Sequence, residues 1–166
     1  FSRFRDLGLR SAEGNTVLFL SLASSAKESA DAVRAINRLR QSGRSLNVLS
    51  FGDIDPAQFG LEGPVEHHHR PPQSEIARLY SRANIFVAPS LSEGWGLTLG
   101  EATGCGAALL VSDATGHFEV VRPGRSAFFF RRGDSDRLAE KLAFLIDRPS
   151  LQLALNRNAR TDFAPY

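Results

Sequence analysis

Ile85-Phe86-Val87-Ala88-Pro89-Ser90-Leu91-Ser92-Glu93-Gly94-Trp95-Gly96-Leu97-Thr98-Leu99-Gly100-Glu101-Ala102 decides the fold, because an apolar run passes through a glycine-bearing loop into a second run of different period. Ile85 to Ala88 has the length and composition of a buried strand. Leu97 to Cys105 reads as a helix ended by Gly104 and Gly106, and Ala108 to Val111 as the next strand. The unit is strand, loop, helix, strand. In an open parallel sheet such a loop lies at the carboxyl end of its strand, where ligands bind, and the free N–H groups that open the helix favour an anion. Gly94 and Gly96 let the backbone come close to that ligand.

Outward from this unit the alternation continues in both directions. Val17 to Leu22 reads as a strand, and Ala30, Val33, Ala35, Ile36 and Leu39 give an amphipathic helix stopped near Gly43. Leu46 to Phe51 is another strand, residues 53–63 a loop, and Val65 to His68 a brief strand. Ser74 is placed as the cap of a helix over Ile76, Leu79 and Tyr80. Phe128 to Phe130 reads as a buried strand, Asp134 as the cap of a helix through Leu138, Leu142 and Leu145, and Leu151 to Ala159 as a last helix. The expected fold is α/β, a Rossmann-like parallel sheet of about six strands with helices on both faces and Ile85 to Ala88 central. No repeat or linker divides residues 1–166, so a single domain is expected.

Glu93 falls in the loop and Glu101 about one turn inside the helix, so the two can face one cleft although eight residues separate them. Carboxylates accept hydrogen bonds from paired sugar hydroxyls, while backbone amides take phosphate oxygens, a combination suited to a phosphorylated polyol. In a blander reading Glu93 solvates a loop and Glu101 favours a helix N-terminus. Spacing alone leaves both open.

Ser90 to Glu101, followed by Ala102-Thr103-Gly104-Cys105-Gly106, resembles the signature of the family 4 retaining glycosyltransferases, which carry Glu-Gly-Phe-Gly, a second Glu and then Ala-x-x-x-Gly. Trp95 stands where the family usually has Phe. The likeness continues through Val111-Ser112-Asp113, Gly116, Glu119, Pro123-Gly124 and Gly133-Asp134, and backward through Ser74 to Tyr80 and Ala83-Asn84. It is dense from about residue 65 to 147 and weaker before that.

The resemblance implies the C-terminal, donor-binding half of a two-domain GT-B enzyme, whose N-terminal acceptor domain is absent here. It implies that Glu101 holds the ribose of a nucleotide-diphosphate sugar and Glu93 reads hydroxyls of the transferred sugar. The segment Gly94, Trp95, Gly96, Leu97 and Thr98 would hold sugar and diphosphate. The donor's own phosphate would assist the incoming hydroxyl with retention of configuration, so no protein nucleophile, metal or cofactor is implied. The acceptor would be a glycan or a lipid-linked glycan, as in polysaccharide biosynthesis. The family's Lys-Gly position is matched by Lys27, but Leu22 falls where an Arg is expected, which leaves Arg70 as a candidate replacement on the diphosphate. That departure keeps two alternatives in view: a non-catalytic binding or assembly module, and a nucleotide-sugar epimerase of similar fold.

Composition sets the outer bounds. The chain has 166 residues, 42% of them hydrophobic and 23% charged, enough to bury a sizeable core. A formal charge of +2 gives no argument for nucleic acid, and Arg131-Arg132 reads as solvated surface. One cysteine allows no internal disulfide, and Cys105 is expected as a buried thiol. No stretch reads as a signal peptide or membrane span, so a cytoplasmic setting is expected, with any attachment to the inner face of a membrane supplied by missing parts. The chain starts at Phe1 and contains no methionine, as an excised piece of a longer protein would. His67-His68-His69 invites a metal reading, which is set aside because neighbouring side chains of an extended segment point to opposite faces.

Overall fold

Side chains on a strand alternate between faces, and here both faces are apolar. Val17 and Phe19 join one core cluster while Leu18 joins the other, and Ile85 and Val87 are divided in the same way from Phe86 and Ala88. A strand with two buried faces needs a helical layer on each side. The computed structural model, which describes residues 4–24, 28–92, 94 and 96–165, supplies those layers.

Six strands, β1 (Thr16–Ser21), β2 (Asn47–Gly52), β3 (Glu66–His69), β4 (Ile85–Ala88), β5 (Ala108–Ser112) and β6 (Phe128–Phe130), form one sheet in the order β3-β2-β1-β4-β5-β6. Every pairing is parallel, with Val17 opposite Ile85 and Ala88 opposite Val111. The helices are α1 (Ser29–Gln41), α2 (Gln73–Arg82), α3 (Leu97–Gly104), α4 (Thr115–Val120), α5 (Ser135–Ile146) and α6 (Pro149–Phe163). α1 and α5 cover the face that carries Val17 and Phe19, while α2 and α3 cover the face that carries Leu18. α6 reaches both clusters, through Leu155 and through Ala159. The expected Rossmann-like parallel sheet is therefore observed, and Ile85–Ala88 is one of its two central strands.

Two local expectations are corrected and one further element is found. Within the 53–63 loop, Pro56–Phe59 forms a 3-10 turn, because Pro56 presets the backbone and the Asp55 side chain accepts a hydrogen bond from the Ala57 N–H at 2.9 Å. Ser74 does not cap α2: Pro72 holds the N-cap position in an extended conformation, which leaves Ser74 inside the first turn. α4 went unread because six residues around Gly116 are too few to show a helical period. Asp134, by contrast, caps α5 as expected, accepting from the Arg137 N–H at 2.8 Å.

Candidate functional site

The strand order reverses between β1 and β4, since the chain builds outward from β1 to β3 and then restarts on β1's other side with β4. At such a switch point the loops leaving the two strands diverge and leave a crevice at the sheet's carboxyl edge. Residues 22–28 leave β1 there, and residues 89–96 leave β4. The two stretches that carry most of the sequence-predicted site therefore emerge from adjacent strands.

On the β1 side, the Ser29 hydroxyl accepts from the Leu22 N–H at 3.0 Å and lies 3.1 Å from the Leu20 carbonyl, tying the first turn of α1 to the end of β1. Glu28, the residue before α1, adopts a left-handed conformation at φ 42. Lys27 lies outside the described residues. Leu22, at the expected Arg position, is half-buried.

On the β4 side, Gly96 is the N-cap of α3 at φ 64, and a Cβ there would lie 3.2 Å from a methyl group of Val120. Only glycine fits both demands without strain. No side chain among the described residues caps α3, and the Leu99 N–H is taken by the Gly96 carbonyl at 2.9 Å, so it is the N–H groups of Leu97 and Thr98 that open the helix at this sheet edge. Gly94 is exposed, with open space where a Cβ would stand. Thr98 shares a shallow depression with Leu20, Pro89 and Ser90. Leu97 is exposed, its apolar side chain uncovered at the mouth of the site. Glu93 and Trp95 lie outside the described residues.

Glu101 sits one turn into α3, half-buried against α2. Burial pushes its carboxyl above the ordinary range, and the Tyr80 hydroxyl partly offsets that rise. Tyr80 is wholly buried, its ring held by edge contacts at centroid distances of 6.1 Å to Phe4, 5.7 Å to Phe51 and 5.2 Å to Phe86. Among the described residues its phenol has no hydrogen-bond partner of ordinary geometry, but burial and then the Glu101 carboxylate push its titration up. Arg70 follows β3 at φ 45, exposed, with its N–H on the Gly52 carbonyl at 3.0 Å. It shares the carboxyl edge, but β2 and β1 separate its strand from β4, about 14 Å at ordinary strand spacing.

Arg131 and Arg132 are both exposed, as expected, but Arg132 also makes specific contacts. It donates from Nη1 to the Leu91 carbonyl at 3.0 Å and pairs with Asp113 at 3.4 Å, so it is bound to the loop leaving β4. Sequence reasoning also passed over His117, fully buried with Nδ1 donating to the Ser112 carbonyl at 2.8 Å. Neither contact has a sequence signal, because each depends on how neighbouring strand ends line up. Cys105 is a buried free thiol as expected, and burial raises its titration. No group of metal-ligating side chains occurs among the described residues: His67 Nδ1 lies 2.8 Å from the Ser50 hydroxyl, and His68 sits between Glu66 and Glu75. Among the described residues no helix is long and apolar enough to cross a membrane.

A parallel sheet with this order is an open α/β architecture, in which ligands bind in the crevice at the switch point. Residues 4–162 match the family model "Glycosyl transferases group 1", and the chain belongs to that family. Its similarity to the N,N'-diacetylbacillosaminyl-diphospho-undecaprenol alpha-1,3-N-acetylgalactosaminyltransferase of Campylobacter jejuni is 32% identity over 118 residues, covering 69% of this chain and 31% of that enzyme. The chain spans less than a third of the length of the curated relatives it matches first. Among solved structures it is similar to the C-terminal domain of a group 1 glycosyl transferase, LpcC, from Francisella tularensis, with a TM-score of 0.82, 19% identity, and coverage of 99% of this chain and 95% of that one. It also resembles Anabaena HepE in complex with UDP-glucose, at a TM-score of 0.77 and 19% identity over 95% of this chain and 50% of that one. At these identities the structural likeness shows the fold.

Proposed function

We propose that this chain is the nucleotide-sugar-binding, C-terminal half of a retaining glycosyltransferase that acts in polysaccharide biosynthesis. The observation that carries the reading is the convergence at the switch point: the uncapped N-terminus of α3, reached through Gly94 and Gly96, lies at the same sheet edge as the loop leaving β1. In this reading the amides from Gly94 to Thr98 take the diphosphate, Glu101 holds ribose hydroxyls, Glu93 reads the transferred sugar, and Lys27 neutralises phosphate charge as the diphosphate leaves. The donor phosphate assists the acceptor hydroxyl on the face the sugar leaves, so the protein contributes position and charge stabilisation rather than a nucleophile. Membership of the group 1 glycosyltransferases supports transferase chemistry. The UDP-glucose bound by HepE supports a uridine-linked donor, and the lipid-diphosphate acceptor in the name of the Campylobacter jejuni relative supports a diphospho-lipid-linked glycan acceptor.

Titration calorimetry of the chain with UDP-glucose, UDP-N-acetylgalactosamine and GDP-mannose tests the donor assignment. Saturable binding by one of them, competed by the matching nucleoside diphosphate, is expected. Binding by none would remove the donor-binding reading.

Leu22 at the expected Arg position favours a second reading, a module that kept the fold without efficient donor chemistry. Leu22→Arg in the full-length protein separates the two. A rise in donor affinity of about tenfold or more marks an incomplete cationic clamp and favours the module, since a charged hydrogen bond contributes about 1.5–3 kcal/mol. A fall from tight wild-type binding shows that another group already holds the diphosphate.

A further inference from the structure

Regular pairing between β4 and β5 ends with Ala88 opposite Val111. Beyond that point two successive carbonyls of the loop leaving β4 are taken by side chains from the neighbouring strand ends. The buried Ser112 hydroxyl donates to the Ser90 carbonyl, and Arg132 Nη1 donates to the Leu91 carbonyl at 3.0 Å. Arg132 is itself fixed from two directions. Its backbone N–H donates to Asp113 Oδ1 at 2.8 Å and its Nε lies 3.4 Å from the same oxygen, while the Asp113 N–H donates to the Phe130 carbonyl at 2.9 Å. The ends of β5 and β6 are thereby joined to the root of the loop between β4 and α3 through one guanidinium.

We propose that Arg132 is a positioning residue of the donor site, holding the Leu91 carbonyl so that the loop carrying Gly94 and Gly96 presents the α3 N-terminus in one place. The inference rests on the donor-binding reading above. Leu91 lies three residues before Gly94 and five before Gly96, so the register of the glycine segment is inherited from where Leu91 is anchored. Ser112 anchors the adjacent carbonyl from a fully buried position and belongs to the core of the sheet end. The Arg132 side chain is 48% exposed. An exposed contact of this kind adds little to global stability, so its consequence is local order in the loop. A fixed loop binds a charged ligand without first having to be ordered, which is where its affinity gain arises.

The test uses Arg132→Ala, with Arg157→Ala on the exposed face of α6 as a control that removes the same charge elsewhere. Hydrogen–deuterium exchange of the amides of residues 92–98 in the unliganded chain should quicken about fivefold or more in Arg132→Ala and stay unchanged in the control, with β4 and α5 amides and the melting temperature as in the wild type. UDP-glucose affinity should fall about three- to tenfold in Arg132→Ala alone. Wild-type exchange at 92–98 in Arg132→Ala overturns the anchor. Faster exchange with unchanged UDP-glucose affinity overturns the positioning role, because the loop would then be ordered to no effect on the ligand. A wild type that binds no nucleotide sugar sinks the donor reading, and with it the positioning role, while exchange still decides the anchor.

Discussion

Glu101 sets the pH behaviour expected of the site. Burial against α2 raises its carboxyl above the ordinary range, so the unfolded chain releases that proton before the folded one does. As pH rises from the ordinary glutamate range through the raised folded value, the group therefore removes stability instead of adding it. On the proposed reading the ionised carboxylate is the stronger acceptor for ribose hydroxyls, so binding should strengthen over the same interval. Glu101→Gln should leave the melting temperature at neutral pH unchanged or higher while weakening nucleotide-sugar binding by about 1.5–3 kcal/mol, the contribution of a charge-assisted hydrogen bond. Melts from pH 4 to 8 beside calorimetry check both halves, and unchanged affinity would remove the ribose assignment. Gly96 makes a different demand, for a left-handed backbone beside Val120. Gly96→Ala should cost about 1–2 kcal/mol and lower the melting temperature by about 2–8 °C. Gly96 was legible because residue type alone announces an unusual backbone. Arg132 was not, since its partner Leu91 is 41 residues away. Tyr80 read only as a core aromatic, and nothing in sequence tells that its hydroxyl ends near Glu101.

At the scale of elements, the strands were the most legible part, because β4 and β5 are buried at every position and such runs have no competing helical pattern. Caps were legible only where the chain before them was free to turn. Asp134 follows Gly133 in its left-handed conformation and reaches the Arg137 N–H, whereas Pro72 displaces Ser74 from the capping position. Asp134→Ala should therefore destabilise the protein by about 1 kcal/mol in urea titrations, and Ser74→Ala should change stability by less than about 0.5 kcal/mol. Equal losses in the two variants would show that α2 uses Ser74 after all. α6 extends beyond the expected Leu151 to Ala159 at both ends, and apolar residues alone do not mark its buried face. Gln152 and Asn156 look like surface residues but are buried, with the Gln152 amide donating to the Gly14 and Leu145 carbonyls at 2.8 Å and the Asn156 amide to Thr103 at 3.0 Å and Ala107 at 2.9 Å. Polar residues satisfied by carbonyls at helix ends and in loops hide a helix's buried face from any hydrophobic period.

At the scale of the molecule, alternating strands and helices announced a parallel sheet, but the point of reversal between β1 and β4 is a property of strand order that no local pattern records. That reversal gives the site its one-sided character, since the loops leaving β1 and β4 both start from the sheet's carboxyl edge. A transfer reaction needs a second reactant held against the first, and positioning of that kind supplies about 7–11 kcal/mol of a bimolecular barrier. On the proposed reading the acceptor is held by a second domain, and this chain spans only 31% of the Campylobacter jejuni relative. The chain alone should therefore bind donor without transferring it. A nucleotide sugar at one hundred times its dissociation constant should stabilise the fold by about 2.7 kcal/mol, raising the melting temperature by about 5–11 °C. Under the same conditions sugar transfer to a lipid-linked glycan should stay at the background rate, and the full-length protein should restore it. Transfer by the 166 residues alone, at a rate comparable with the full-length protein, would show that the acceptor is held by this sheet edge and that the two-domain reading is wrong.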